Sequence, residues 1–451
     1  MLEVINPYTK EIVGSVKSCS VKDIDIAINK LKSYKFELGS FDRSLILTKA
    51  VELLKKEQDT FVDLIVSEIG VSKKDAIHEV ERSFNVISLC AEEAKRITGE
   101  VTPAEVSHGF EDRLIYSIRE PIGVVLCITP FNHPLNQVIH KIGPAIAAGN
   151  AVLLKPSKKS PLTALKIVEL LYKAGIPENM LQIITGEDSV LGESLVSHPE
   201  VNMISFTGSV KAGKTISSMC GIKKISLELG GNDVMVIDNT ADINLAVKQA
   251  CEGAFKNSGQ RCSSVKRLLL FPDIKNEFID KLITKVESLN TGDPFNPKTD
   301  IGTVIDEASA IIIEKRIKDA VSKGAVLLTG GNRNGAQITP AVIDKTNMSM
   351  ELVSDETFGP VMPIIECDDI DHAIRITNDT KFGLNASLIS NNHSNINRFI
   401  KNVVVGGVRI NAASSYRNEM LPFGGINNSG YGRGGIIYAI KEMTNLKTIL
   451  I

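Results

Sequence analysis

A chain of 451 residues is longer than one ordinary hydrophobic core serves, so two or three domains are predicted. Hydrophobic residues make up 43% and charged residues 23%, close to the globular average, which excludes an extended disordered chain. The net charge of -2 gives no global basis for binding nucleic acid or an acidic membrane, so any anion recognition must be local.

The seven cysteines are scattered without a CxxC pair, a pattern suited to a reducing cytosol rather than a disulfide framework. The seven histidines form neither HxH nor HExxH spacings, so no metal site is predicted. The start, Met1 to Pro7, has neither a basic nor an apolar leader region, and no segment offers the ~20 apolar residues of a membrane helix. A soluble cytoplasmic protein is expected.

In chain order, a short hairpin comes first, with Asn6 to Lys10 as the turn between Val4-Ile5 and Ile12-Val13. From Asp42 to Ile69, apolar residues recur at three- and four-residue steps (Leu45, Leu47, Val51, Leu54, Phe61, Leu64), predicting amphipathic helices. After Pro121 the texture changes. Short β-branched runs at Gly123–Ile128, Ala151–Leu154, Gln182–Ile184 and Asn202–Phe206 alternate with helical stretches such as Leu162 to Ala174, predicting a parallel sheet covered by helices. A second such unit opens at Val234–Ile237 and continues through Leu268–Phe271, Ala325–Leu328, Val361–Ile365 and Gly407–Ile410. The boundary is placed at Gly230-Gly231, read as a hinge.

The most specific chemical signal is Cys262, in Asn257-Ser258-Gly259-Gln260-Arg261-Cys262, with Glu228 34 residues upstream in Leu227-Glu228-Leu229-Gly230-Gly231. A thiol flanked by small and polar residues is a candidate nucleophile, against the reading of a core cysteine. Glu228 lies between leucines, where desolvation is expected to raise its pKa and suit it to general-base work; a surface glutamate is the alternative. Asn132 ends a strand in Thr129-Pro130-Phe131-Asn132-His133-Pro134 and is a candidate oxyanion donor or a turn asparagine. Gly208 to Thr215 satisfies the GxxxxGK[ST] pattern of a nucleotide hydrolase, but no strand ending in a magnesium-binding aspartate accompanies it. A glycine turn opening a helix also fits a dinucleotide pyrophosphate. Lys155, just past a strand, is placed to reach a ribose or phosphate, or lies in a solvated loop.

Taken in order, these motifs resemble the NAD(P)-dependent aldehyde dehydrogenase superfamily from about Val4 to Thr448. The matching runs are Thr129–Asn132, Lys155–Ser157, Phe206–Ser209, Leu227–Gly231, Gly259–Cys262, Glu356–Pro360 and Pro422–Gly425. The resemblance implies an α/β fold with a Rossmann-like cofactor domain (1–100 and 121–230), an α/β catalytic domain (231–426) and a small β oligomerisation arm (101–120 and 427–451) that builds homodimers or homotetramers. It implies that Cys262 attacks the aldehyde, that Asn132 and the Cys262 backbone N–H hold the oxyanion, and that Glu228 activates water. NAD or NADP would be bound by Thr129, Pro130, Lys155, Ser157, Lys158, Gly208, Ser209, Leu229, Glu356 and Phe358. Lys158 stands where NAD-preferring members often carry glutamate, which makes NADP use credible.

The cations Arg113, His133, Arg261 and Arg417, with Ser263, are the candidate substrate contacts, and together they suggest an aldehyde with an anionic head. Within the superfamily the runs Thr129–Val138, Lys256–Cys262 and Gly302–Glu307 most resemble phosphonoacetaldehyde dehydrogenases, implying oxidation of phosphonoacetaldehyde to phosphonoacetate. The stretch ending at Arg267 also resembles non-phosphorylating glyceraldehyde-3-phosphate dehydrogenases, and the C-terminal third resembles lactaldehyde dehydrogenases. A P-loop hydrolase and a non-catalytic scaffold are the rival classes.

Overall fold

The computed structural model describes all 451 residues, arranged around two apolar cores, each built on its own sheet. The first sheet has the order Gly430–Tyr431, Lys224–Glu228, Met203–Thr207, Val124–Ile128, Ala151–Lys155, Leu181–Ile183. Its five longer-range neighbours, from Lys224–Glu228 to Leu181–Ile183, run parallel, and only Gly430–Tyr431 is antiparallel. These strands are continuous β-branched and leucine runs because helices cover both faces. Strand order reverses beside Val124–Ile128, so a crevice opens at the carboxyl ends there, the usual ligand position in doubly wound sheets.

The second sheet has seven strands: Val326–Thr329, Ala341–Asp344, Val361–Glu366, Arg267–Leu270, Val234–Ile237, Asn385–Ile389 and Gly407–Ile410. All pairs but the outermost, Val326–Thr329 with Ala341–Asp344, are parallel. Two of these strands escaped the sequence pattern. Asn385–Ile389 carries polar residues in a fully buried position, satisfied there by Asp233, which accepts from the Asn385 backbone at 3.0 Å, and by the Val234 carbonyl, which accepts from the Ser387 hydroxyl at 3.2 Å.

The predicted hairpin is present as Leu2–Ile5 with Ile12–Val16, and the Asn6 side chain fixes the turn by accepting from the Tyr8 and Thr9 amides. The helical region expected over 42–69 is two helices, Ser40–Lys56 and Gln58–Ile69, meeting at Glu57. Leu47, Val51 and Leu54 form its buried stripe, while Leu45 faces solvent. The arm is a three-stranded antiparallel sheet of Val101–Thr102, Ile115–Pro121 and Thr444–Leu450. Residues 430–443, expected in the arm, instead return to the first unit. Gly430–Tyr431 extends its sheet, and helix Ile436–Glu442 buries Ile436 and Ile440 in the first core. No helix is long and apolar enough to cross a membrane.

Candidate active site

Helix Ile243–Phe255 ends in a tight turn in which Asn257, Ser258 and Gly259 are all left-handed, with φ of 59°, 52° and 71°. Such a run is costly for residues with side chains and persists only where surroundings over-determine it. Here they do. The Asn257 amide donates to Asp75 Oδ2 at 2.9 Å, and the Asn257 side chain donates to the Asn132 carbonyl at 2.9 Å. The Gln260 side chain accepts from the Ile305 amide at 2.8 Å. At Gly259 a Cβ would lie 2.1 Å from the Gly359 carbonyl oxygen, so the two motifs that contain these glycines are in contact. The chain then presents Cys262 ahead of strand Arg267–Leu270, at the amino edge of the second sheet.

Gly231 packs against the same loop. A Cβ there would lie 2.5 Å from the Cys262 carbonyl oxygen, so close approach to the nucleophile loop, rather than hinge freedom, is what the glycine serves. Lys266 ties the loop together by donating to the carbonyls of Arg261 and Cys262, each at 2.8 Å, and to Glu356 Oε1 at 3.0 Å. Asn132 is buried, and its amide donates to the Gln260 carbonyl at 2.7 Å, which orients the side chain towards the nucleophile loop and leaves its second N–H free for an oxyanion.

The thiol is half-buried, the six other cysteines are buried, and none is in a disulfide. Burial pushes the Cys262 thiol up to about 12; Lys266 pulls it down, while Glu228, Asp233 and Glu356 add to the rise. The resting thiol is therefore protonated at neutral pH and needs help to ionise. Alkylation of Cys262 by iodoacetamide in the cofactor-free protein should keep accelerating from about pH 7 to about pH 10, since only the thiolate reacts. A rate that levels off near neutrality would contradict this.

Glu228 ends strand Lys224–Glu228, as expected, but its ionisation does not follow the sequence expectation. Burial alone pushes its carboxyl up; Lys141, Arg417 and His140, with a 3.1 Å hydrogen bond from the Thr207 hydroxyl, outweigh that and hold it below the ordinary glutamate value. No hydrogen bond joins Glu228 to Cys262. The carboxylate instead lines a separate small cavity of about 20 Å³ shared with Lys141, Ser205 and Arg433. That volume suffices for a single water.

All the cofactor motifs except Glu356 and Phe358, which lead into strand Val361–Glu366 of the second sheet, hang from the carboxyl edge of the first sheet. Thr129 and Pro130 follow Val124–Ile128, Lys155 closes its strand ahead of Ser157 and Lys158, Gly208 and Ser209 follow Met203–Thr207, and Leu229 follows Glu228. Ser209 caps helix Val210–Met219 by accepting from the Ala212 amide, leaving amide donors of the first turn for an anion. The Thr129 hydroxyl is buried without a partner, a polar atom prepared for a ligand. Glu356 accepts from Lys266 and from the Gly231 amide, and Phe358 meets Phe131 edge-on at 6.0 Å. These residues fit a dinucleotide. Lys155, only 3% exposed, is ion-paired with Asp188, and Lys158 donates to Glu187 at 2.6 Å.

A cavity of about 510 Å³ opens onto the thiol, and only four of its 23 lining residues are hydrophobic, so it suits a polar substrate. It brings together Cys262, Asn132, His133, Arg261, Ser263 and Arg417. Arg113 is not among them. It lies exposed in the turn before strand Ile115–Pro121 because the strand carries away from the cavity into the arm, and the expectation of Arg113 at the site is corrected accordingly. Arg261 is partly structural: its guanidinium donates to the carbonyls of Glu252 and Gly253 at the end of the preceding helix, while its Nε has no hydrogen-bond partner. Arg417 stacks 4.1 Å over Phe423 and lies 3.3 Å from Glu419, and its Nε likewise lacks a partner in hydrogen-bonding geometry.

Five residues here carried no notice in the sequence: Asp75, Glu79, Arg82, Lys141 and Glu419. Lys141 was visible in principle as a lone charge in the apolar stretch Val138–Ile142; it is fully buried, with its ammonium 3.1 Å from the Ser205 hydroxyl. The others look like ordinary solvent-facing charges until the tertiary contacts are known.

A nucleotide-type sheet meeting a thiol in a polar cleft places the protein among thiol-dependent dehydrogenases. The particular family is settled by comparison: residues 1–449 match the aldehyde dehydrogenase family, and the chain belongs to it, an oxidoreductase that oxidises aldehydes with NAD(P). It is 39% identical over 451 residues to a 3-sulfolactaldehyde dehydrogenase of Priestia aryabhattai, covering 100% of this chain and 94% of that protein. A lactaldehyde dehydrogenase of Methanococcus vannielii is 38% identical over 459 residues, covering 100% and 97%. Among solved structures, the glyceraldehyde-3-phosphate dehydrogenase GapN of Methanocaldococcus jannaschii, complexed with NADP, superposes with a TM-score of 0.96 at 37% identity, covering 100% and 99%. The fold class read from the sequence is therefore correct, whereas none of the relatives named here is a phosphonoacetaldehyde dehydrogenase.

Proposed function

We propose that the protein oxidises a short aldehyde bearing a tetrahedral anionic head group to its carboxylic acid, through a thioester on Cys262. The observation that carries the anionic head is the pair of arginines, Arg261 and Arg417, that line the thiol's own largely polar cavity. Two guanidinium groups beside a nucleophile favour a ligand with anionic oxygen acceptors. His133 and Ser263 line the same cavity and would complete the contact.

Cys262 adds to the carbonyl and gives a thiohemiacetal, whose oxygen meets the free N–H of Asn132 and the Cys262 amide. When bound, the oxidised nicotinamide supplies the hydride acceptor. Thr129, Pro130, Ser157, Gly208, Ser209 and Leu229 would hold the dinucleotide, with Lys155 and Lys158 at the adenosine ribose and Glu356 and Phe358 at the nicotinamide end. The GapN relative's NADP and the lysine at position 158 favour NADP alongside NAD. Glu228, ionised at neutral pH, accepts the proton of the water that hydrolyses the thioester, and Lys141 steadies the carboxylate beside it.

Phosphonoacetaldehyde, the narrower expectation from the sequence, belongs to this class, as do the sulfonate and phosphate substrates in the relatives' names. Lactaldehyde is the second reading, favoured by the methanococcal relatives and by the carboxylates Asp75, Glu79, Glu252 and Glu419 that share the cavity with its cations. A panel of 3-sulfolactaldehyde, phosphonoacetaldehyde, glyceraldehyde 3-phosphate, lactaldehyde and propanal separates them. Arg417→Met should lower kcat/KM for the preferred anionic aldehyde by about 10- to 100-fold, the loss of one charge-assisted contact, and leave lactaldehyde within about threefold. Equal turnover of propanal and the anionic aldehydes by the unmodified enzyme would overturn the reading.

The arm is proposed to pair with a second copy, because it ends in an open strand and exposes Val101, Leu114, Leu446 and Leu450.

A further inference from the structure

Helix Lys73–Ala94 contributes no atom to the chemistry above, yet one of its faces touches three segments of the site. Asp75, Glu79, Arg82 and Ser83 follow one another at helical spacing, so all four project on the same side. Asp75 accepts from the Asn257 amide in the nucleophile loop. Glu79 accepts from the Leu135 and Asn136 amides at 2.9 and 3.0 Å through one carboxylate oxygen, while the other lies 3.2 Å from His133 Nδ1. Ser83 accepts from the Asn136 side chain at 3.3 Å, and Arg82 donates at 2.6 and 3.1 Å to Glu419, the ion-pair partner of Arg417.

Glu79 is the most committed of these groups. It is 2% exposed, and every partner of its carboxylate lies within four residues of Asn132. Helix Asn136–Ala147 begins at Leu135, which has no side-chain oxygen with which to cap it, so its first amides would be orphaned without a donor of acceptors from elsewhere. A carboxylate from the neighbouring helix fills that role and also complements the positive end of the helix. The segment Asn132-His133-Pro134 is thereby pinned at both ends, by Gln260 and Asn257 on one side and by Glu79 on the other.

We propose that Glu79 is a positioning residue for the oxyanion donor: by capping the helix that follows Asn132 and holding His133, it fixes the Asn132 amide opposite the Cys262 thiol. The inference rests on the role assigned to Asn132, and not on which aldehyde is the substrate. Loss of the cap leaves two buried amides and His133 without partners, and a shift of about 1 Å at a reacting centre costs up to about 100-fold.

The test is a double-mutant cycle between Glu79→Ala and Asn132→Ala, read on two reactions. One is oxidation of whichever aldehyde the wild type turns over best. The other is hydrolysis of p-nitrophenyl acetate, which needs the thiol and an oxyanion donor but neither cofactor nor anionic head. Glu79→Ala should lower kcat by about 10- to 100-fold in both reactions with KM within about threefold, and add less than about twofold in the Asn132→Ala background. Glu79→Gln keeps an oxygen for the two amides and should recover most of the rate. The rate of Cys262 alkylation should be unchanged in all variants. If Glu79→Ala does not fold, Glu79→Asp, which keeps the charge but is one methylene short, takes its place in the cycle.

Multiplicative losses in the double variant would overturn the proposal, as would a rise in KM confined to anionic aldehydes, which would make Glu79 a substrate-site residue acting through His133. An Asn132→Ala variant with undiminished activity would also overturn it, because nothing would remain to be positioned; the anionic-substrate reading is judged separately by the aldehyde panel.

Discussion

Cys262→Ser is expected to abolish aldehyde oxidation, with kcat falling by more than about 10⁴-fold, as for other nucleophiles that act as part of a unit. The hydroxyl is smaller and far less acidic than the thiol, and the loop offers it no base at hydrogen-bond distance. Because most of the cofactor motifs hang from the other sheet, and the Cys262 side chain makes no hydrogen bond to any of them, NAD(P) binding by fluorescence titration should stay within about threefold of wild type. Serine occupies less space than cysteine in a turn fixed by Asp75, Gln260 and Lys266, so the variant should fold normally. Residual oxidation at more than a few per cent would place the nucleophile elsewhere, and the six other cysteines are buried out of reach.

Glu228→Gln is expected to separate the two halves of the reaction. Acylation depends on Cys262 and Asn132, so the first turnover should proceed; hydrolysis depends on the carboxylate, so steady-state kcat should fall by about 10²- to 10⁴-fold. The wild-type enzyme should show no titration of this step near pH 6 to 7. Lys141, Arg417 and His140 hold the Glu228 carboxyl below 4.5, so the base form is present throughout the neutral range and is lost only on acidification below it. The stability that this depressed value contributes is likewise present above about pH 4.5 and lost as pH falls through it. Glutamine keeps the hydrogen bond from Thr207 but leaves the Lys141 ammonium without its anion in a buried pocket, so a modest loss of stability should accompany the kinetic change.

The parts of the site that could be read from the sequence are those made of local grammar. Strand ends followed by glycine or proline, a capped helix after Gly208, and a thiol set among small residues each carry their signal within about ten residues. The order of the motifs then supplied the fold class and the family. What could not be read is long-range compensation. Glu228 between leucines predicts a raised pKa, and only the assembled structure brings Lys141, His140 and Arg417 from two other segments to reverse it. Arg113 looked equivalent to Arg417, because charge alone does not tell which strand leads to the cleft and which leads to the arm. Asn385–Ile389 reads as a polar loop until Asp233 and Val234 provide its partners. Likewise, Asp75, Glu79 and Arg82 lie on an ordinary amphipathic helix, and their roles depend on three loops brought from 182, 54 and 337 residues away.

The most direct test of the account is intact-protein and peptide mass spectrometry of Glu228→Gln mixed with the preferred aldehyde and oxidised cofactor. The account predicts one equivalent of reduced cofactor in a rapid burst and an acyl adduct of the matching carboxylic acid on the peptide containing Cys262. Reduced cofactor formed without any adduct on Cys262, or with the adduct on another residue, would contradict it.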